Sequence, residues 1–151
     1  MIYIVDHQDS FTWNVVHQFS KFDKVICTNY FEINNKLLEK SDVIVFSPGP
    51  GSPKDYPLTS KIYKKYKGKK KIIGICLGYQ MILHNEGGKI IQQKRIYHGF
   101  QSKIKITMRC TNTKIPMCLE DDKNKIYGFQ FHPESFLTEN GDTLIKKILS
   151  A

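Results

Sequence analysis

A cysteine between two glycines is the first candidate for chemistry in this sequence. Cys76 stands in the heptad Gly-Ile-Cys-Leu-Gly-Tyr-Gln at 74–80, after the apolar run 72–75 and before a helical stretch at 79–86. We therefore predict that it lies on a sharp strand-to-helix turn, as in a nucleophile elbow. A helix N-terminus beside the sulfur favours thiolate, so we expect Cys76 to be more acidic than a free cysteine. A buried structural cysteine is the alternative.

The second candidate is the pentapeptide Phe-His-Pro-Glu-Ser at 131–135. In an extended backbone, residues two apart point to the same side, so His132 and Glu134 share a face. A carboxylate beside an imidazole holds one tautomer and stabilises the imidazolium that forms when the ring takes a proton. Together with Cys76 this predicts a triad of nucleophile, general base and orienting group. A surface histidine with an incidental glutamate is the alternative.

A thiolate that attacks an amide also needs backbone donors for the oxyanion that forms. The N–H of Leu77, directly after the nucleophile, is the first candidate donor. The stiff loop around Gly49, Pro50 and Gly51 is the second, since glycine allows close backbone approach. This loop does not have the spacing of a phosphate loop.

Alternating strand-like and helix-like segments must position these residues. Short apolar runs at 2–5, 24–27, 43–46 and 72–75 are separated by helical spacing at 11–19, around 37–38 and at 58–66. This alternation predicts an α/β fold with a doubly wound, mostly parallel sheet and flanking helices. After Gly88, runs at 89–91, 103–107 and 126–131 predict a small antiparallel extension and a return to the main sheet, and 144–149 a closing helix.

Length and composition limit the remaining possibilities. The chain has 151 residues with 25% charged side chains, which predicts one domain over 1–151. The net charge of +9 is spread over helix-like surface stretches, which favours a solvated surface, or an acidic partner protein, over nucleic-acid binding. The four cysteines have no zinc-ligand spacing, and no apolar run reaches membrane length or marks a leader. We expect a cytoplasmic chain with reduced thiols that binds no metal, nucleic acid or membrane.

Five motifs in a fixed order resemble one known family, the class I (triad) glutamine amidotransferases. These are the segment 6–14 (Asp-x-x-Asp-Ser-Phe-Thr-Trp-Asn), the loop 47–53, the heptad 74–80, the pair His98-Gly99 and the pentapeptide 131–135. The N-terminal motif is similar to that of the glutaminase subunits of anthranilate synthase and aminodeoxychorismate synthase, rather than the GMP, CTP or carbamoyl phosphate branches.

The resemblance implies that Cys76 attacks the carboxamide of L-glutamine and forms a glutamyl thioester, with His132 and Glu134 completing the triad. It implies glutamine or oxyanion contacts at Gly49, Pro50, Gly51, Leu77 and Gln80. Ammonia would pass into a larger chorismate-binding synthase subunit. Mg²⁺ is expected in that partner and no cofactor in this subunit.

The resemblance also bears on the pathway and on the N-terminal motif. Trp13 slightly favours the aminodeoxychorismate synthase type over the anthranilate synthase type. Asp6, Asp9, Ser10 and Asn14 would be structural or partner-facing.

The sequence departs from this family in its second half. Relatives carry a few dozen residues after the position of about Thr107, including an Arg-Tyr-His-Ser-Leu segment whose Ser-Leu pair contacts glutamine. Here the chain runs on directly into Met108, so either the protein is truly shortened or the sequence omits a stretch. The stretch 98–102 also lacks the usual Lys-Thr or Lys-Ala. The alternative function is therefore a non-catalytic or impaired binding subunit of the same synthase.

Overall fold

Seven strands and five helices follow one another along the described part of the chain. The computed structural model describes residues 1–88, 90 and 105–151. The strands are β1 (Ile2–Asp6), β2 (Val25–Asn29), β3 (Val43–Phe46), β4 (Lys71–Ile75), β5 (Lys105–Arg109), β6 (Pro116–Asp121) and β7 (Ile126–Phe129). The helices are α1 (Thr12–Ser20), α2 (Asn35–Lys40), α3 (Pro57–Tyr66), α4 (Leu77–Asn85) and α5 (Gly141–Ser150), with a 3₁₀ turn at Pro53–Asp55. The predicted strand at 89–91, apart from Ile90, and the pair His98-Gly99 lie outside the described residues.

The strands form one mixed sheet in the order β2-β1-β3-β4-β7-β6-β5. The first five strands in this order are parallel to one another, and β6 and β5 continue the sheet antiparallel. This confirms the predicted doubly wound, mostly parallel sheet with a small antiparallel extension. The switch from parallel to antiparallel pairing falls at β7, so the chain enters β7 from the β6 hairpin and still runs parallel to β4.

Both faces of the four inner parallel strands, β1, β3, β4 and β7, are buried, which explains their continuous apolar sequences. Tyr3 and Val5 of β1 pack into one core, whereas Ile2 and Ile4 pack into the other. The first core is covered by α3 and α4, through Ile62, Tyr63, Ile82 and Leu83. The second is covered by α1 and α5, through Val15, Phe19, Ile145 and Ile148.

Helices α1 and α4 differ in how the chain leads into them. Phe11 is the N-cap residue of α1 and makes no side-chain cap bond. Asp9 stabilises the turn just before α1: its Oδ1 accepts from the N–H of Phe11 at 2.8 Å, and its carbonyl accepts from the N–H of Thr12. Helix α4 begins at Leu77, two residues earlier than expected, so it follows Cys76 without a spacer.

The C-terminal end of α4 agrees with the sequence. Gly87 has φ +87°, and the N–H groups of Gly87 and Gly88 donate to the carbonyls of His84 and Leu83.

Within the residues that the structure describes, no helix combines the length and the apolarity needed to cross a bilayer.

Candidate active site

Cys76 sits on a strained turn between β4 and α4. Its backbone has φ 51° and ψ −102°, which is unusual for a residue with a side chain. A side chain could not be added at Gly74, because a Cβ there would lie 2.5 Å from the carbonyl carbon and oxygen of Gly78. The two flanking glycines therefore let strand and helix close tightly around Cys76, as the elbow prediction requires.

Burial and neighbouring charges make the Cys76 thiol less acidic, contrary to the sequence-based expectation. Desolvation raises the pKa of the thiol, and the negative charges of Asp9 and Glu134 raise it further. The backbone N–H of Leu77, at the start of α4, acts in the opposite direction and lowers the pKa. Desolvation by residues far apart in sequence outweighs the helix terminus, which was the only effect readable from the heptad.

His132 and Glu134 are in direct contact, as the shared-face argument predicts. Nδ1 of His132 lies 2.6 Å from Oε1 of Glu134. The Glu134 side chain is fully buried, whereas 32% of the His132 side chain is exposed. Since Nδ1 is engaged by the carboxylate, Nε2 is the ring nitrogen available to exchange a proton with another group.

Cys76 and His132 follow neighbouring parallel strands at the same edge of the sheet. Strand β4 pairs with β7 through Ile75 and Phe129, and the N–H of Cys76 donates to the carbonyl of Phe129 at 2.7 Å. His132 comes three residues after Phe129. Nε2 of Gln130, between these two, lies 3.8 Å from Sγ of Cys76. The geometry therefore brings the nucleophile candidate and the histidine–glutamate pair to one edge.

The Pro-Gly loop lies against the first residue of α4. A Cβ built on Gly49 would lie 2.6 Å from Cδ2 of Leu77 and 2.5 Å from Cβ of His7. Such close approach is possible only for glycine. The loop is held from the other side by the hydroxyl of Tyr56, which donates to the carbonyl of Pro50 at 2.9 Å. Gly49 is thus a direct neighbour of the Leu77 side chain, so the Pro-Gly loop and the start of α4 lie side by side.

Gln80, one turn into α4, faces Gln130 rather than Cys76. Its Nε2 donates to Oε1 of Gln130 at 3.2 Å. Gln130 was not identified from the sequence, although it stands two residues before His132, a spacing that in a strand would place both side chains on one face.

Two further residues behind the site were also missed. His7 is fully buried, and its ring nitrogens contact the hydroxyls of Ser47 and Thr59 at 3.2 and 3.0 Å. Gln18 of α1 donates to the carbonyl of Pro133 at 2.8 Å. A polar residue that supports a loop more than a hundred positions away leaves no local signal in the sequence.

The N-terminal segment has the structural role expected for Asp6. Oδ1 of Asp6 accepts from the N–H of Gln8 and from the hydroxyl of Thr12, both at 2.8 Å. Ser10 and Asn14 are exposed.

Across the described ranges no cluster of three or more histidine, cysteine or acidic side chains is arranged to hold a metal ion.

Comparison with known proteins covers nearly the whole chain. The sequence model of the family described as "Glutamine amidotransferase class-I" matches residues 3–105 and 100–151. The chain is 31% identical to anthranilate synthase component 2 of Lactococcus lactis over 186 aligned positions, which cover 99% of this chain and 94% of that protein. It is 32% identical to anthranilate synthase component 2 of Buchnera aphidicola subsp. Schizaphis graminum, with the same two coverages.

A third relative and one solved structure extend the comparison. The bifunctional protein TrpGD of Thermotoga maritima is 31% identical, and the match covers 99% of this chain and 32% of that protein. The crystal structure of a Thermoplasma acidophilum protein, proposed to be one of the subunits of GMP synthase, shows the same fold. The two structures have a TM-score of 0.76 at 19% identity, and the match covers 99% of this chain and 92% of that chain.

The missing internal block has support in these alignments. An alignment over 186 positions exceeds the 151 residues of this chain, so the relative has residues that this chain lacks. The two segments of the family match meet at residues 100–105, close to the position of about Thr107 inferred from the sequence.

Proposed function

Because this chain belongs to the class-I glutamine amidotransferases, we propose that it hydrolyses L-glutamine through a thioester on Cys76 and supplies the ammonia to a chorismate-using synthase subunit. One observation carries the proposal. A strained cysteine elbow and a histidine paired with a buried glutamate follow neighbouring parallel strands at the same sheet edge.

In the proposed reaction, Sγ of Cys76 attacks the side-chain carbonyl carbon of glutamine. The thiol proton passes to Nε2 of His132, and the carbonyl becomes a tetrahedral oxyanion facing the N–H groups of Leu77 and of the loop at Gly49. When the C–N bond breaks, His132 returns the proton to the leaving nitrogen, so ammonia departs and a glutamyl thioester remains. Water, deprotonated by the same histidine, then releases glutamate and restores the thiol.

Glu134, the Pro-Gly loop and Gln80 of α4 have supporting roles in this scheme. Glu134 accepts from Nδ1 of His132 and stabilises the imidazolium that forms in both half-reactions. Gly49, Pro50, Gly51 and Gln80 contact the bound glutamine. No step calls on a metal ion or cofactor from this chain, and the Mg²⁺ is assigned to the synthase.

An exposed apolar rim beside the site supports docking of the synthase there. Phe11, Trp13, Phe136 and Leu137 are 49%, 72%, 94% and 80% exposed. Large apolar side chains that are this exposed are candidates for burial in an interface. The Phe11 ring contacts the His132 ring, with centroids 5.7 Å apart, so a partner that moves Phe11 acts directly on the proposed base. Docking would thereby activate a thiol whose pKa is raised in the free subunit.

The relatives favour anthranilate synthase over aminodeoxychorismate synthase as the partner. Both component 2 relatives named above belong to anthranilate synthase. The sequence-based preference for aminodeoxychorismate depended on Trp13, whose side chain is mostly exposed and would meet the partner rather than glutamine. We assign the anthranilate pathway, and reconstitution with each synthase subunit in turn distinguishes the two.

The test compares two nitrogen sources in the reconstituted complex. The chain is combined with an anthranilate synthase large subunit, chorismate and Mg²⁺, and product formed from glutamine is compared with product formed from ammonium. Cys76→Ala and Cys76→Ser should abolish the glutamine-dependent reaction and leave the ammonium-dependent reaction unchanged. His132→Ala should behave in the same way. Glutamine use that survives Cys76→Ala would reject Cys76 as the nucleophile.

The missing block favours one second candidate, a docking subunit that turns over no glutamine. This candidate predicts that the complex forms and makes product from ammonium but never from glutamine. The retained Cys76, His132, Glu134 and Gln80 argue against it, because a subunit that only docks has no chemical need for all four.

A further inference from the structure

Gln130 lies between two residues that the proposed function uses. Its Oε1 accepts from Nε2 of Gln80 at 3.2 Å, and its own Nε2 is 3.8 Å from Sγ of Cys76. Its backbone is held independently, since the N–H of Gln130 donates to the carbonyl of Met117 at 2.8 Å. The side chain is therefore free to serve the site while the main chain continues the sheet.

Oε1 of Gln130 accepts from the NH₂ group of Gln80, and the NH₂ group of Gln130 points the other way, toward the Cys76 sulfur. A hydrogen bond from a neutral amide strengthens when its acceptor becomes an anion. The arrangement consequently favours the thiolate of Cys76 over its thiol.

We infer that Gln130 is a positioning residue that couples the glutamine-contacting side chain of Gln80 to the Cys76 sulfur. Through one amide it donates to the developing thiolate and holds the Gln80 side chain in place. Glutamine that binds to Gln80 thereby strengthens the hydrogen bond from the Gln130 NH₂ group to the Cys76 sulfur. The catalytic consequence rests on the proposed function, whereas the effect on the thiol does not.

Other groups around the sulfur also affect the Cys76 thiol, and the test must separate their effects from that of Gln130. Asp9, before α1, and Glu134, after β7, act on Cys76 with negative charge, and the N–H of Leu77 acts as a donor from α4. His132 stands at the same edge beside Glu134. Gln130 is uncharged, so its removal should raise the pH at which Cys76 becomes half-reactive toward an alkylating agent, without altering the charges around the sulfur.

The experiment measures the rate of Cys76 alkylation by iodoacetamide against pH, with the modified peptide identified by mass spectrometry. A Cys110→Ser background is used, because Cys110 is an accessible thiol whose pKa is lowered by hydrogen bonds from Thr113. Gln130→Met should raise the midpoint of the Cys76 alkylation profile by about one pH unit. At pH values below that midpoint, alkylation should be about tenfold slower. Gln130→Glu should move it further, since a carboxylate repels the thiolate.

Gln80→Met is the matched control, because it removes an amide one step farther from the sulfur. It should shift the midpoint less than half as far as Gln130→Met and should chiefly raise KM for glutamine. Gln130→Met should instead lower kcat with glutamine and spare the ammonium-dependent reaction. A residue that only packs would leave the alkylation profile unmoved.

The outcomes separate this inference from the proposed function. Alkylation profiles of Gln130→Met and Gln130→Glu that coincide with the parent would overturn the inference, provided that circular dichroism shows either variant to be folded. A shifted profile in a chain that never uses glutamine would support the effect on the thiol and reject the proposed function.

Discussion

Nδ1 of His132 and Oε1 of Glu134 are 2.6 Å apart, and the Glu134 side chain has no surface exposed to solvent. A buried carboxylate fixed on one ring nitrogen leaves the imidazole a single tautomer and a single free nitrogen. The burial also strengthens the attraction between the carboxylate and an imidazolium, since little water screens it. The contact thus holds the His132 ring in one orientation, which is the role that the proposed function gives to Glu134.

Removing the Glu134 carboxylate should therefore cost activity, but less than removing the imidazole. Glu134→Ala should lower kcat with glutamine, and the loss should be about a hundredfold smaller than that in His132→Ala. Glu134→Gln keeps the shape but can offer its NH₂ group to Nδ1, which would favour the other tautomer. Equal losses in Glu134→Ala and His132→Ala, measured in the reconstituted complex, would contradict an orienting role.

Gln18 supports the turn that carries this pair. It donates from Nε2 to the carbonyl of Pro133 at 2.8 Å and to Asp142 at 3.0 Å. Gln18→Leu should destabilise the fold by about 1–3 kcal/mol, because the buried Pro133 carbonyl loses its donor. It should also lower kcat with glutamine, since the turn bearing His132 loosens.

Lys21→Met is the matched control for Gln18→Leu. It removes an exposed ion pair to the same Asp142, at 2.7 Å, and should cost no more than about 0.5 kcal/mol. Urea unfolding measures both variants. Similar unfolding free energies for the two would show that the contact with Pro133 contributes nothing.

Gly49 tests whether the Pro-Gly loop must touch α4. In Gly49→Ala the new methyl would lie 2.5–2.6 Å from His7 and Leu77, so the loop must move off the helix terminus. We expect a loss of about 1–3 kcal/mol in stability and a raised KM for glutamine. Gly87→Ala is the control, because it strains the backbone (φ +87°) without a steric clash, in open space away from the site. A glutamine KM that rises equally in both variants would argue against a role for the loop contact.

His7 should make stability depend on pH. Burial lowers its pKa from 6.5 to about 4, so below neutrality the unfolded chain binds a proton that the folded chain does not. Stability from this residue is complete above pH 6.5 and is lost as the pH falls, by roughly 2 kcal/mol near pH 5.

The variant His7→Gln isolates this effect from the other titrating groups. Its unfolding free energy should fall less than that of the parent chain between about pH 7.5 and 5. Parallel pH dependences in the two chains, measured by urea denaturation, would show that His7 does not titrate as its burial implies.

The sequence predicted those features that depend on local spacing. The apolar run that ends at Cys76 is continuous because β4 is buried on both faces, and the glycines at 74 and 78 mark the elbow directly. His132 and Glu134 stand two apart, so their shared face follows from backbone geometry alone.

Features that depend on packing between distant segments could not be predicted. The raised pKa of Cys76 arises from burial and from Asp9 and Glu134, which the heptad does not contain. The contact between Gln18 and Pro133 joins residues far apart in the chain. The strand β6 was not predicted from its local pattern, because Pro116 and the acidic residues at its end break the alternation expected of a strand.

The central claim is that the Cys76 sulfur attacks glutamine, and trapping the glutamyl thioester tests it most directly. The complex with the synthase is mixed with labelled glutamine and chorismate, quenched in acid within the first turnovers and digested for mass spectrometry. The account predicts a glutamyl adduct on the peptide that carries Cys76, and none in Cys76→Ala or in His132→Ala. Glutamine-dependent product without an adduct on Cys76, or with an adduct on another residue, would contradict it.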